Sequence, residues 1–150
     1  MSTIAENIAA IRARIDAAAR LSGRTGADIT LVAATKMNDA ARVREAVAAG
    51  IDACGENRVQ EMTEKLAEGA YTGAPLHFIG HLQTNKIKKV LGRASLIQSV
   101  DSEHLLNAIE KEAARAGIVQ DVLLEVNIGG EESKTGVAPE ALWPLLDAAA

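Results

Sequence analysis

Apolar and polar positions along this chain follow two periods. Ile4, Ile8, Ile11 and Ile15 recur at helical spacing, and Thr3 with Glu6 forms a capping box ahead of them, so the first element is an amphipathic helix. Gly23 and Gly26 end it. Short, nearly continuous apolar runs then occur at 29–35, 51–55, 76–80, 95–100 and 122–128. Runs of that kind read as strands buried on both faces, as in a parallel sheet. Helical patterns lie between and after them at about 38–49, 57–69, 83–92, 102–116 and 139–150. The strand starts are about 23 residues apart, the size of a βα unit with short loops. No low-complexity linker or charge block interrupts the series, so residues 1–150 are expected to form one α/β domain.

Five units fit two architectures. An open, doubly wound sheet suits this length, whereas a closed (β/α)8 barrel needs roughly 200 residues or more. Length alone favours the open sheet. The last helical pattern, from Pro139 to Ala150, has no C-cap signal and reads as a helix that is cut, with Pro144 expected to kink or restart it.

Composition narrows the class. Apolar residues make up 48% and charged residues 24%, with a formal net charge of −4, as in an ordinary globular domain. No apolar run reaches the roughly 18–20 residues of a membrane span. Glu6, Arg12, Arg14 and Asp16 break up any signal-peptide core. Mild acidity argues against a general nucleic-acid binder. Cys54 is the single cysteine, which fits a reducing cytoplasm. The three aromatics are Tyr71, Phe78 and Trp143, so the core must be aliphatic and alanine-rich helices must pack closely.

In either architecture function collects at the C-terminal ends of the strands. Lys36, Glu56 and Asn57, His81, Asp101 and Asn127 follow the five apolar runs in turn. A lysine backed by an apolar strand is disfavoured in its charged form, which exposes a nucleophilic amine suited to a Schiff base. The plainer reading is a strand-end lysine snorkelling into water. His77 and His81 would stand roughly 13 Å apart on a strand, too far to share a metal. His81 is open to two readings, stacking on a ligand ring or bonding its own loop. Lys86, Lys88, Lys89 and Arg93 form either a patch that steers a phosphorylated ligand or a solvated helix face. The run from Gly129 to Gly136 has the outline of a P-loop but places Ser133 before Lys134 where a glycine is required. It serves as a mobile lid or as an ordinary connection. Cys54, with no basic neighbour, reads as an inert buried thiol.

Four stretches together point further. Leu31-Val32-Ala33-Ala34-Thr35-Lys36, Gly55-Glu56-Asn57-Arg58-Val59-Gln60-Glu61, His77-Phe78-Ile79-Gly80-His81-Leu82-Gln83-Thr84-Asn85-Lys86 and the run from Asn127 to Gly136 resemble, in order and spacing, the pyridoxal phosphate homeostasis protein family. The resemblance implies a TIM-barrel-type (β/α)8 fold like the barrel domain of alanine racemase, of which this chain supplies a leading helix and about five βα units. It implies pyridoxal 5′-phosphate held as a Schiff base on Lys36, with Asn57, His81 and Asn127 lining the same rim. It also implies a cytoplasmic, non-enzymatic carrier or buffer of the vitamin B6 cofactor, serving pyridoxal phosphate-dependent apoenzymes and lacking the second racemase domain with its catalytic tyrosine.

Members of that family are longer by several βα units, which carry the phosphate cup. A full-length protein is therefore expected to be a monomer. A chain ending at residue 150 is expected to associate, to be marginally stable and to bind the ligand weakly. Two other readings are a racemase-like enzyme, for which His81 is the available second proton-transfer group, and a non-covalent phosphate-binding module on an open sheet.

Overall fold

The computed structural model describes residues 1–150. Helix α1 (Ile4–Leu21) begins at Thr3, whose side chain accepts from the Glu6 N–H while the Glu6 carboxylate accepts from the Thr3 N–H. Five βα units follow: β1 (Val32–Ala34) and α2 (Ala40–Ala48), β2 (Ala53–Glu56) and α3 (Val59–Ala67), β3 (Leu76–Phe78) and α4 (Ile87–Val90), β4 (Leu96–Val100) and α5 (Glu103–Ala116), β5 (Asp121–Leu124) and α6 (Leu142–Ala149). No helix is long and apolar enough to cross a membrane.

All five strands are parallel and lie in the order β1-β2-β3-β4-β5. This order decides between the two architectures. A doubly wound sheet reverses its strand order at a switch point, which places helices on both faces. A sheet that keeps chain order with crossovers of one hand places every helix on the same side, as in a barrel. The open doubly wound sheet favoured by length is therefore incorrect, and the chain forms an arc of a (β/α) barrel.

The two faces of the arc differ accordingly. Side chains alternate along a strand, and neighbours in register share a face. Cys54, Leu76, Phe78 and Ile97 fall on one face and are buried beneath the helices. Ala34, Gly55, His77, Leu96 and Asp121 fall on the other, where Ala34 and Asp121 are exposed and Leu96 is half-buried. The core thus sits between sheet and helices, with Phe78, Met62, Leu82, Ile87 and Ile97 its largest fully buried side chains. Burial on both faces holds for β2 and β3 but not for β1 and β5, each of which pairs along one edge.

Several elements are shorter than the apolar runs that announce them. Residues 26–28 form a 3-10 turn, and the Leu31 N–H bonds the Asp52 carboxylate at 2.6 Å rather than a neighbouring strand, so β1 begins at Val32. The 83–92 pattern becomes a 3-10 turn (Thr84–Lys86) and the one-turn α4, because Leu91 is extended and Gly92 takes φ +70°. The Arg93 guanidinium donates to the Lys88 and Lys89 carbonyls and satisfies that early helix end. At the last helix a 3-10 turn (Pro139–Ala141) leads into α6 with Pro144 in its first turn, where a missing N–H costs nothing. The proline accompanies a restart.

Candidate functional site

The strand exits converge on one rim. Thr35 continues β1 and faces the helices, since its hydroxyl donates to Glu56 on that side. The alternation then turns Lys36, the next residue, to the open face, and its side chain is exposed. The β1–β2 pairing ends at Ala34↔Gly55, and Lys36 and Asn57 lie two residues beyond it on the exits of these neighbouring strands.

Asn57 begins the β2–α3 loop. Its Oδ1 is buried with no hydrogen-bond donor. The β3 exit passes directly against it, because a β carbon on Gly80 would stand 2.1 Å from the Asn57 carbonyl oxygen. His81 follows, exposed, and shares with Asn57 a cleft of ≈ 330 Å³ that Arg58, Gln60, Gln83 and Lys86 also line. Lys36 and Asn127 are outside that cleft's lining. Asn127 lies past β5, where its backbone N–H donates to the Val137 carbonyl and its Nδ2 donates to the Glu131 carbonyl at 2.8 Å. The Gly129–Gly136 segment is thereby folded back on itself, with Thr135 also bonded to Glu125 at 2.8 Å.

The remaining candidates take structural places. His77 sits in β3 on the open face, and its Nδ1 meets the Gln98 side-chain amide at 2.9 Å. Burial pushes its pKa below the ordinary imidazole value. Cys54 is fully buried, and burial pushes its thiol up to about 11, as suits an inert side chain. Of the basic run, Lys86 reaches the cleft, while Lys88 stands 3.8 Å from Glu112 and Arg93 caps α4.

The sequence pattern carried no sign of Lys65 as a buried group, and it set Glu56 on the rim, whereas Glu56 faces the helices and is fully buried. Behind the rim, Lys65 of α3 is buried, and its ammonium donates to Glu56 Oε1 at 2.7 Å, Glu61 Oε1 at 2.8 Å and the Thr35 carbonyl at 2.7 Å. Tyr71 donates to the same Glu56 oxygen at 3.0 Å, and Glu56 Oε2 is buried without a partner. Burial alone would push the Lys65 ammonium down, but the two carboxylates outweigh it and hold it above the ordinary lysine value. Burial and the negative neighbour Glu56 push the Tyr71 phenol up. The spacing Glu61-x-x-x-Lys65 was the available signal, a pair that normally marks only a solvated helix face.

A parallel arc of βα units in chain order, with polar groups gathered at the strand exits, defines a barrel-type domain whose chemistry lies at the C-terminal rim. The match to known families is specific: residues 6–150 fit the model for the alanine racemase N-terminal domain, and the chain belongs to that family. It is similar to the pyridoxal phosphate homeostasis protein of Aquifex aeolicus, 42% identical over 142 residues that cover 95% of this chain and 62% of that protein. The homeostasis protein of the same description from Pseudomonas aeruginosa is 43% identical over 148 residues, covering 99% of this chain and 64% of its own length. Among solved structures, PipY of Synechococcus elongatus with PLP bound superposes with a TM-score of 0.80 at 32% identity, covering 97% of this chain and 63% of that one. The chain thus spans less than two-thirds of the length of these relatives.

Proposed function

We propose that this chain forms a single pyridoxal 5′-phosphate-binding domain of a homeostasis protein, which holds the cofactor reversibly on Lys36. The observation that carries the reading is an exposed amine at the exit of β1, on the open face of a barrel arc. The similarity to PipY, which has been solved with PLP, supports it.

The residues on the rim suit such a ligand. Asn57 Oδ1, buried without a donor, is an acceptor that a hydroxyl or ring N–H can satisfy. His81 and Asn127 are proposed as further lining residues. When bound, the cofactor would supply an aldehyde, and Lys36 would present the amine that captures it. The lysine masks a reactive carbonyl yet lets it go, as a carrier requires. The protein is proposed to be cytoplasmic and to act as a buffer for pyridoxal phosphate-dependent apoenzymes rather than as a catalyst.

The test is reductive trapping. Pyridoxal phosphate followed by borohydride should place one adduct on Lys36, absent in Lys36→Ala. Label spread evenly over Lys86, Lys88 and Lys134 overturns the defined site. Exchange of an amino acid's α-hydrogen in heavy water would instead support a racemase-like enzyme.

A further inference from the structure

The buried ion cluster grips the chain on both sides of Lys36. Before it, Thr35 is held at three atoms: its N–H donates to the Gly55 carbonyl at 2.9 Å, its hydroxyl donates to Glu56, and its carbonyl accepts from Lys65 at 2.7 Å. After it, the Met37 N–H donates to Glu61 Oε1, the oxygen that also receives Lys65. The Lys65 ammonium is the hub, since its three contacts use all three of its donors.

Met37 stands in a tight turn of residues 35–38, in which the cluster holds Thr35 and Met37. Its φ is +61°, the one non-glycine residue in the chain with positive φ, in a region that a β carbon disfavours. Its side chain is 90% exposed, so packing does not hold it there. The peptide unit between Lys36 and Met37 is held at both ends, its N–H donating to Glu61 and its carbonyl accepting from the Asn38 side chain at 3.0 Å, while the Asn38 N–H closes the turn on the Thr35 carbonyl at 3.2 Å. Burying such a cluster is a poor way to gain stability, because desolvation offsets most of the attraction, whereas fixing one geometry is its best-attested use. Lys65 lines none of the five principal cavities and is 5% exposed, which speaks against a second ligand site at the cluster.

We propose that Lys65, through Glu56, Glu61 and the peptide units flanking Lys36, is a positioning device that aims the Lys36 amine across the open face of the sheet. The device rests on the reading of Lys36 as the carbonyl-capturing residue. Lys65, Glu56 and Glu61 are positioning residues and touch no ligand.

The chemistry of Glu61 supplies a clean test. Both of its hydrogen bonds fall on Oε1, so Glu61→Gln can keep them with a single amide oxygen, while Glu61→Ala loses both. In the full-length protein, pyridoxal phosphate and borohydride are used to trap lysines, and the labelling rate at Lys36 is divided by that at exposed Lys134 in the same molecule. Melting temperature is read alongside. Glu61→Ala should lower the ratio at least about tenfold, since a small misplacement of a reacting group is costly. Glu61→Gln should label close to wild type.

An unchanged ratio in Glu61→Ala, or an equal loss in Glu61→Gln at the same melting temperature, overturns the device and leaves the Lys36 reading intact. A wild-type protein that traps nothing at Lys36 removes both. Should Glu61→Ala fail to fold, the volume-matched Thr35→Val is read instead. It removes the hydroxyl bond to Glu56, and an unchanged ratio there is equally fatal.

Discussion

Gly80 lies against Asn57 so closely that a β carbon on Gly80 would stand 2.1 Å from the Asn57 carbonyl oxygen and 2.6 Å from its α carbon. The obstructing atoms are backbone, so no side-chain rotation relieves the clash. The absent side chain lets the β3 exit run beneath the β2–α3 loop, which brings His81 into the cleft with Asn57. Gly136 does the same for the other asparagine, since a β carbon there would stand 2.6 Å from the Asn127 N–H nitrogen.

Gly80→Ala must therefore push Asn57 outward. Overpacking of this kind costs about 1–3 kcal/mol. The expected outcome is a lower urea midpoint together with weaker binding at the proposed pyridoxal phosphate site. A variant with wild-type affinity and midpoint would show that the loop yields freely.

The period of about 23 residues and the apolar runs made every strand and most helices legible, because burial of one face leaves a mark on the sequence itself. Strand order left no such mark. Whether a sheet winds once or twice depends on which side each crossover takes, and an apolar strand reads alike in both. Lys36, Asn57, His81 and Asn127 were singled out by their position at strand exits and by family resemblance. The structure brings Asn57 and His81 into one cleft and leaves Lys36 and Asn127 outside its lining. Lys65 went unnoticed because a lysine four residues after a glutamate is ordinarily solvated. Its burial depends on Glu56, a residue on a different element.

The turn from β4 into α5 rests on Ser102, whose hydroxyl accepts from the Leu105 N–H at 3.1 Å. Helix α5 delivers Leu105, Leu106, Ile109 and Ala113 to the core, so fraying at its start is transmitted to the core. Ser102→Ala should cost about 1 kcal/mol, and Ser102→Gly only a few tenths, because glycine leaves the first turn accessible to water. Urea denaturation of the two variants checks the order, and equal losses would mean that the cap contributes little.

Helix α1 is tied to the sheet through Asp52, whose Oδ1 lies 2.8 Å from the Arg12 guanidinium and whose Oδ2 accepts from the Leu31 N–H. The Arg12 hydrogen bond holds the Asp52 carboxyl below its ordinary value of 3.8, the Leu31 N–H adding to it against the opposing effect of burial. An acid with a depressed native value contributes stability that is complete above 3.8 and lost as pH falls through the lower native value. Melting temperatures should therefore fall as pH drops from 3.8 toward the lower native value. Asp52→Asn should melt lower than wild type at neutral pH and show a shallower acid limb.

A second pH effect lies nearer neutrality and comes from His77. The Gln98 Nε2 group that meets Nδ1 can only donate, so Nδ1 accepts this hydrogen bond and the neutral ring carries its proton on Nε2. Burial depresses the imidazole below its ordinary value of 6.5. As pH falls through 6.5, the unfolded chain binds its proton before the native one does, and stability declines until the lower native value is passed. Each tenfold difference in proton affinity is worth about 1.4 kcal/mol. Wild-type urea midpoints should thus be lower at pH 5.5 than at pH 7.5, with no shift above about pH 7. His77→Gln, which cannot titrate and can still meet Gln98, should remove that difference. A midpoint in His77→Gln that falls by as much as the wild type would place the sensitive group elsewhere on the chain.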